Sequence, residues 1–220
     1  MLAAMPMFPD ISRAIQEIAL LLVPVLMGVT FHEVAHGYVA NWLGDPTARL
    51  AGRLTFNPIK HLDLFGALAF LLTRMIGWAK PVPVDPRYFR DPAKGMMLVA
   101  LAGPAMNVLL AIFFAMAIRM VEYAAMGTLQ GSAAYSILAP LAYICAAGVQ
   151  VNLALAVFNL IPVPPLDGSN ILAAFLPPRL ALRYMDLGRW GFFALLLLAV
   201  TGVLGRIILP PVRYFTQILL

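Results

Sequence analysis

Two histidines, His32 and His36, lie four residues apart and enclose a glutamate, Glu33, in the run FHEVAHG at residues 31–37. On a helix, this spacing puts both imidazoles on one face, where their ring nitrogens can meet at a single point. Such a pair suits two ligands of a tetrahedral zinc ion, and the glutamate between them is close enough to act as a base on water. The run therefore predicts a zinc centre with hydrolytic chemistry.

The surroundings of this run strengthen the prediction. It ends an apolar stretch that extends from Ile15 through Thr30. Two imidazoles and a carboxylate inside a hydrophobic helix are costly unless another group compensates them. A bound divalent cation would do so, and we expect one Zn²⁺ per chain.

The composition is that of an integral membrane protein. Of 220 residues, 62% are hydrophobic and 11% are charged, whereas a soluble domain carries about 25% charged residues. The length suits one bundle, so we expect a single membrane-embedded domain over residues 1–220. The net charge of +5 does not indicate a nucleic-acid partner, because the basic residues lie in short loops between apolar runs.

We predict an all-α integral membrane protein with about four full transmembrane helices. The predicted spans are residues 11–43, 96–122, 133–160 and 190–209. The apolar stretch from Leu64 to Trp78 has about half to three-quarters of the residues needed to cross ~30 Å of hydrocarbon. It is expected to be re-entrant or a short buried helix.

Between the first two spans, the pattern changes. Leu50, Leu54 and Phe56 alternate with polar residues, which predicts a small membrane-associated β element over residues 48–56. Residues 79–86 are expected to be extended, because each proline disfavours a helical conformation in the residue before it. A short helix is predicted for residues 169–176.

The basic residues predict the orientation in the membrane. The connection from Tyr123 to Ala133 carries no charge, whereas the two other connections are basic. The positive-inside rule places both termini outside and the end of the first helix, with His36, on the cytoplasmic side of the cell membrane. The basic residues behind this prediction are Arg49, Arg53, Lys60, Arg74, Lys80, Arg87, Arg90, Lys94, Arg179, Arg183 and Arg189.

A zinc site of this kind needs a third protein ligand. The favoured candidate is Asp167, which follows a proline cluster in the run NLIPVPPLDG at residues 159–168. Irregular backbone at membrane depth is tolerated only inside protein or beside a water-filled cavity, and Gly168 permits a close turn. Asn159 in the same run could hydrogen-bond a substrate carbonyl. The other candidates for the third ligand are His61, Asp63 and Asp85.

These two runs resemble the site-2 protease family of intramembrane zinc metalloproteases. Residues 103–107 (GPAMN) are similar to a further motif of bacterial members, although packing or a kink also explains Gly103 and Pro104. Residues 53–61 and 77–84 resemble the compact branch of the family, without a PDZ domain. The resemblance implies that His32, His36 and Asp167 bind zinc, that Glu33 is the catalytic base and that Asn159 lies near the substrate.

The implied activity is cleavage of transmembrane segments of other membrane proteins, within the bilayer. A helical substrate must unwind before its carbonyls can react, and an edge strand could hold it extended. The candidate for that strand is residues 49–56, through Arg49, Leu50, Gly52, Arg53 and Leu54; structural capping of the helix end is an equal alternative. The rival functions are a transporter or channel, which also places ionisable residues in the membrane, and an inert scaffold. The oligomeric state stays open.

Overall fold

The computed structural model describes residues 11–64, 66, 79–129 and 131–220 of the chain. These residues are mostly helical and contain no strand, which confirms the all-α class. The predicted re-entrant stretch from Leu64 to Trp78 falls almost wholly outside them. In chain order the helices are α1 (Ile11–Trp42), α2 (Thr47–Leu50), α3 (Pro92–Ala125), α4 (Ala133–Asn159), α5 (Asp167–Ala173), α6 (Pro178–Asp186), α7 (Gly188–Val200) and α8 (Val203–Leu219).

Helices α1, α3 and α4 are each long and apolar enough to cross a membrane. The predicted fourth span over residues 190–209 is not one straight helix, because α7 and α8 meet there at an angle of 75°. Gly202 makes the break, with a left-handed φ of +74° that glycine adopts without strain. The described residues therefore provide three spans, or four if the bent pair counts as one.

The predicted β element is also absent from residues 48–56. The first part of this stretch is the helical turn α2, and Gly52, with φ +64°, then turns the chain. The carboxylate of Asp45 accepts a hydrogen bond from the Thr47 N–H at 2.9 Å, and Pro46 is compatible with a helical start. Local capping thus overrides the alternating pattern, so the edge strand proposed for substrate binding is not formed.

The long helices pack on one another and enclose the interior of the bundle. Helix α4 approaches α3 closely at Gly148, where a Cβ would lie 2.4 Å from the ring of Phe114. Helix α8 packs against α4, and α5 packs against α3. The buried cluster formed by α3, α4 and α8 consists of Ala111, Phe114, Ala115, Ile118, Cys145, Val149, Leu153 and Val212.

Candidate metal centre and active site

Three side chains that are far apart in the sequence converge between α1, α3 and α5. The Nε2 atoms of His32 and His36 lie 3.0 Å apart. Oδ2 of Asp167 lies 3.1 Å from the first and 3.4 Å from the second. The predicted spacing on α1 is thus realised, and Asp167 is the candidate acid that the fold brings to the histidine pair.

The loop after α4 delivers Asp167 to the histidines. Residues 160–166 have no regular structure, and α5 begins at Asp167 itself. Gly168 permits this tight turn, because a Cβ there would lie 2.2 Å from the carbonyl oxygen of Leu160. The proline-rich run predicted an irregular backbone at this point, and the structure has one.

The hydrogen bonds on the far side of each imidazole assign its tautomer. Nδ1 of His36 lies 2.7 Å from the carbonyl oxygen of Val99, which can only accept. Nδ1 of His32 lies 2.6 Å from Oδ1 of Asn107. Both Nδ1 atoms therefore carry the proton, and both Nε2 atoms present a lone pair to the centre of the cluster.

This arrangement fits a metal ion. Two unprotonated nitrogens and a carboxylate oxygen face one another, and Oδ2 of Asp167 is buried without a hydrogen-bond partner of good geometry. Mutual repulsion disfavours such a group unless a cation lies among the atoms. Ligands about 2.0–2.1 Å from a tetrahedral zinc ion are about 3.3–3.4 Å apart, close to the observed separations. His32, His36 and Asp167 are therefore a donor set that could hold zinc.

A buried amide network holds the ring of His32 in place. The Asn107 side chain donates from Nδ2 to the Gly28 carbonyl at 3.1 Å and to Oδ1 of Asn152 at 3.0 Å. Asn152 in turn donates to the Gly148 carbonyl at 2.9 Å. Because Gly28 offers only an acceptor, the orientation of the Asn107 amide is determined, with its oxygen toward His32. Both asparagines are fully buried.

Gly103 provides the space for the two imidazoles. A Cβ at this position would lie 2.6 Å from Nε2 of His32 and 2.6 Å from Cε1 of His36. The neighbouring Pro104 has no backbone N–H to donate to the Ala100 carbonyl one turn earlier in α3.

Glu33, the predicted base, lies on the same helix between the two histidines. Its Oε2 accepts a hydrogen bond from the backbone N–H of Val82 at 2.8 Å. Val82 belongs to residues 79–86, which have no regular structure up to the short turn that begins at Pro86. The extended conformation predicted for this stretch is observed at Asp85, with φ −114° and ψ 105°.

The remaining candidates lie outside the metal cluster. His61, the alternative ligand, is fully buried and hydrogen-bonds through Nε2 to the Thr55 carbonyl at 2.8 Å. Oδ1 of Asp63 accepts from the N–H of Gly66. Asp85 pairs with the Arg87 guanidinium, whose hydrogen bonds lower the pKa of the Asp85 carboxyl.

Asn159 is half-buried and donates from Nδ2 to the Leu155 carbonyl of its own helix at 3.0 Å. The structure therefore does not bring its amide into the metal cluster. A role toward substrate would use the other amide proton or the side-chain oxygen.

Sequence reasoning undervalued the residues behind the ligands. Packing or a kink is the alternative explanation for Gly103 and Pro104, whereas Gly103 and Asn107 contact the histidine pair. Their spacing carried the signal, because positions 103 and 107 are one helical turn apart and share a face. Val99 gave no such signal, since its contribution is a backbone carbonyl.

Comparison with known proteins places these features in a family. The family model described as "Peptidase family M50" matches residues 20–198. "Putative zinc metalloprotease YwhC" of Bacillus subtilis (strain 168) is 41% identical over 192 residues, covering 87% of this chain and 84% of the relative.

A second relative is "Putative zinc metalloprotease Rip2" of Mycolicibacterium smegmatis, 29% identical over 195 residues, covering 86% of this chain and 70% of the relative. No solved structure matches the chain significantly. The match over most of its length shows that the chain belongs to peptidase family M50, the site-2 protease family of membrane-embedded zinc metalloproteases.

Proposed function

We propose that this protein is an intramembrane zinc-dependent endopeptidase that cleaves transmembrane segments of other membrane proteins. His32, His36 and Asp167 hold the zinc ion, one per chain, and Glu33 is the catalytic base. The observation that carries the proposal is the convergence of two imidazole nitrogens and one carboxylate oxygen within 3.4 Å, with both imidazoles on a helix that can cross a membrane.

The chemistry follows from the residues around this point. Zinc bound there would act as a Lewis acid, lowering the pKa of a water molecule and polarising the scissile carbonyl. Glu33 accepts a proton from the attacking water at a carboxylate oxygen and then donates it to the nitrogen of the leaving amine. Asn159 is proposed to hydrogen-bond the substrate near the scissile peptide. Asn107 and the Val99 carbonyl keep both imidazoles in the ligating tautomer.

Two features support this function over a transporter or channel. A transporter needs no i, i+4 histidine pair with an intervening glutamate, and the chain belongs to a family of metalloproteases. The proposed partners are the lipid bilayer and a membrane protein whose helix contains a residue that weakens it. The proposed location is the cell membrane, with the metal centre toward the cytoplasmic side.

Replacing the base tests the proposal. Glu33→Gln keeps the shape of the side chain but cannot accept the proton, so cleavage should fall by at least ~10²–10⁴-fold. Zinc content and melting temperature should stay close to those of the wild type, because the three ligands are untouched. The assay uses purified protein and a single-span substrate whose helix contains Gly, Pro or Asn.

Glu122→Gln is a matched control, since that glutamate is exposed on α3 and pairs with Arg119. It should cleave at the wild-type rate. Wild-type cleavage by Glu33→Gln would disprove the mechanism.

A further inference from the structure

The stretch of chain that contacts the catalytic base is fixed at both of its ends. Near its start, the Lys80 N–H donates to the His61 carbonyl at 2.9 Å, and Nη2 of Arg53 donates to the Lys80 carbonyl at 2.6 Å. Near its end, the Asp85 N–H donates to Oδ2 of the buried Asp45 at 2.8 Å. These contacts connect residues 79–86, here called the proline segment, to the loops around α2.

Between the two ends, the proline segment offers few hydrogen-bond donors. Pro81 and Pro83 lack a backbone N–H, so Val82 provides the single donor between Lys80 and Val84. That N–H points at Oε2 of Glu33 at a distance of 2.8 Å. The two prolines also stiffen the backbone on either side, which limits the directions that this N–H can take.

We propose that the backbone N–H of Val82 is the positioning group for the catalytic base, holding one oxygen of the Glu33 carboxylate so that the other faces the water molecule. The proposal rests on the function proposed above, in which Glu33 is the base. Val82 acts through Glu33 and does not itself contact the substrate.

The packing around Val82 is built for this contact. Val82 is buried, with 8% of its surface exposed. It lies against α1 at Gly37, the residue that follows the second histidine. A Cβ at Gly37 would come within 2.6 Å of Leu54 and 3.1 Å of Cγ1 of Val82. The glycine therefore lets the proline segment approach α1 closely enough to reach Glu33.

A fixed donor is useful to a catalytic carboxylate. A free glutamate side chain samples several rotamers, and each misplacement of the base by about 1 Å can cost on the order of 10²-fold in rate. A donor oriented in advance needs no rearrangement during the reaction. A backbone amide has the further advantage that it carries no charge and loses no side-chain entropy.

Val82→Pro tests this directly, because it deletes the N–H and keeps a residue suited to extended backbone. Val82→Ala is the matched control, since it shortens the same side chain but retains the N–H. We expect Val82→Pro to lower kcat by about 10- to 100-fold with KM within about twofold, one zinc per chain and a melting temperature near that of Val82→Ala. Because Val82→Ala retains the N–H, it should lose at least about tenfold less kcat than Val82→Pro.

Hydrogen exchange supplies a measurement that does not depend on how Val82→Pro folds. In the wild-type protein the Val82 amide should exchange slowly, and in Glu33→Ala it should exchange at least about tenfold faster, while the Asp85 amide stays unchanged. Because prolines carry no amide hydrogen, a fragment covering the proline segment reports on very few sites.

The outcomes separate this inference from the proposed function. If Val82→Pro and Val82→Ala have equal kcat, the positioning role is wrong even though the enzyme cleaves. The same holds if the Val82 amide exchanges at the same rate in the wild type and in Glu33→Ala. If both variants lose zinc equally, the segment serves stability and the inference is also wrong. If wild type and Glu33→Gln cleave alike, the proposed function fails, whatever Val82 does.

Discussion

Gly103 shows how a missing side chain can shape a metal centre. The two imidazoles occupy the volume in which a Cβ of residue 103 would stand, at 2.5 Å from the ring of His32 and 2.6 Å from that of His36. Contacts this short require the rings to move, and both rings are held by hydrogen bonds, His32 to Asn107 and His36 to the Val99 carbonyl. The position is therefore closed even to alanine.

This gives a prediction at the scale of one methyl group. Gly103→Ala should displace His32 or His36 and lower zinc affinity by at least about tenfold, measured by competition with a chromogenic chelator. Gly205→Ala is the control, since the nearest atom to its Cβ is 3.9 Å away. Because the added methyl group has open space and alanine is a good helix former, that variant should fold and bind zinc like the wild type. Equal affinity in the two variants would contradict the structure.

At the scale of elements, Asp45 connects the end of α1 to two other parts of the chain. Its carboxylate is fully buried and accepts hydrogen bonds from the N–H and the hydroxyl of Thr47, and from the N–H of Asp85. One side chain thus joins α2 to the proline segment. The Arg87–Asp85 ion pair nearby lies at the surface.

Asp45→Ala should therefore destabilise the protein more than Arg87→Ala. Removing the buried acceptor leaves donors unsatisfied, at a cost of about 1–3 kcal/mol, which is on the order of 5 °C in melting temperature for a chain of this size. Arg87→Ala should leave the melting temperature unchanged, because an exposed ion pair is screened by solvent. Thermal unfolding in detergent measures both, and a larger effect for Arg87→Ala would refute the assignment.

The elements also show how far the sequence alone could lead. The spans ending near residues 42, 125 and 159, and the pairing of His32 with His36, were predictable because long apolar runs and an i, i+4 spacing are local patterns. Asp167 was predicted from its proline-rich run and from the family resemblance. The β element was not formed, because the Asp45–Thr47 contact favours a helical turn there. The break at Gly202 was missed because apolarity continues on both sides of it. The contact between Val82 and Glu33 joins residues 49 positions apart, and no local sequence pattern predicts such a contact.

At the scale of the whole molecule, a bound metal would cross-link α1 to α5, which are far apart in the sequence. Asp167→Ala should abolish stoichiometric zinc binding and also lose the stabilisation that zinc provides, about 2.7 kcal/mol when free zinc is 100 times the dissociation constant. His61→Ala should keep zinc, since that ring hydrogen-bonds Thr55 outside the cluster. Metal analysis with parallel thermal unfolding makes the comparison. Loss of zinc in the His61 variant alone would overturn the ligand assignment.

The proposed orientation is also a property of the whole chain. An impermeant thiol reagent applied to intact cells, on a Cys145→Ser background, should label Leu129→Cys and not Arg90→Cys. Both positions are exposed on the protein, so a difference in labelling reports the side of the membrane. Labelling of position 90 from outside would show that the proposed orientation is wrong.

The ligands are separated along the chain by a distance that matters during synthesis. Asp167 follows His36 by 131 positions, and α3 and α4 lie between them. A nascent chain that has inserted α1 already holds the two histidines and Glu33, yet the proposed metal centre stays incomplete. Only when α4 and the following loop have entered the membrane does the third ligand arrive. Completion of the proposed centre thus coincides with completion of the bundle, and under the proposed function an unfinished chain lacks the ligand set that cleavage requires.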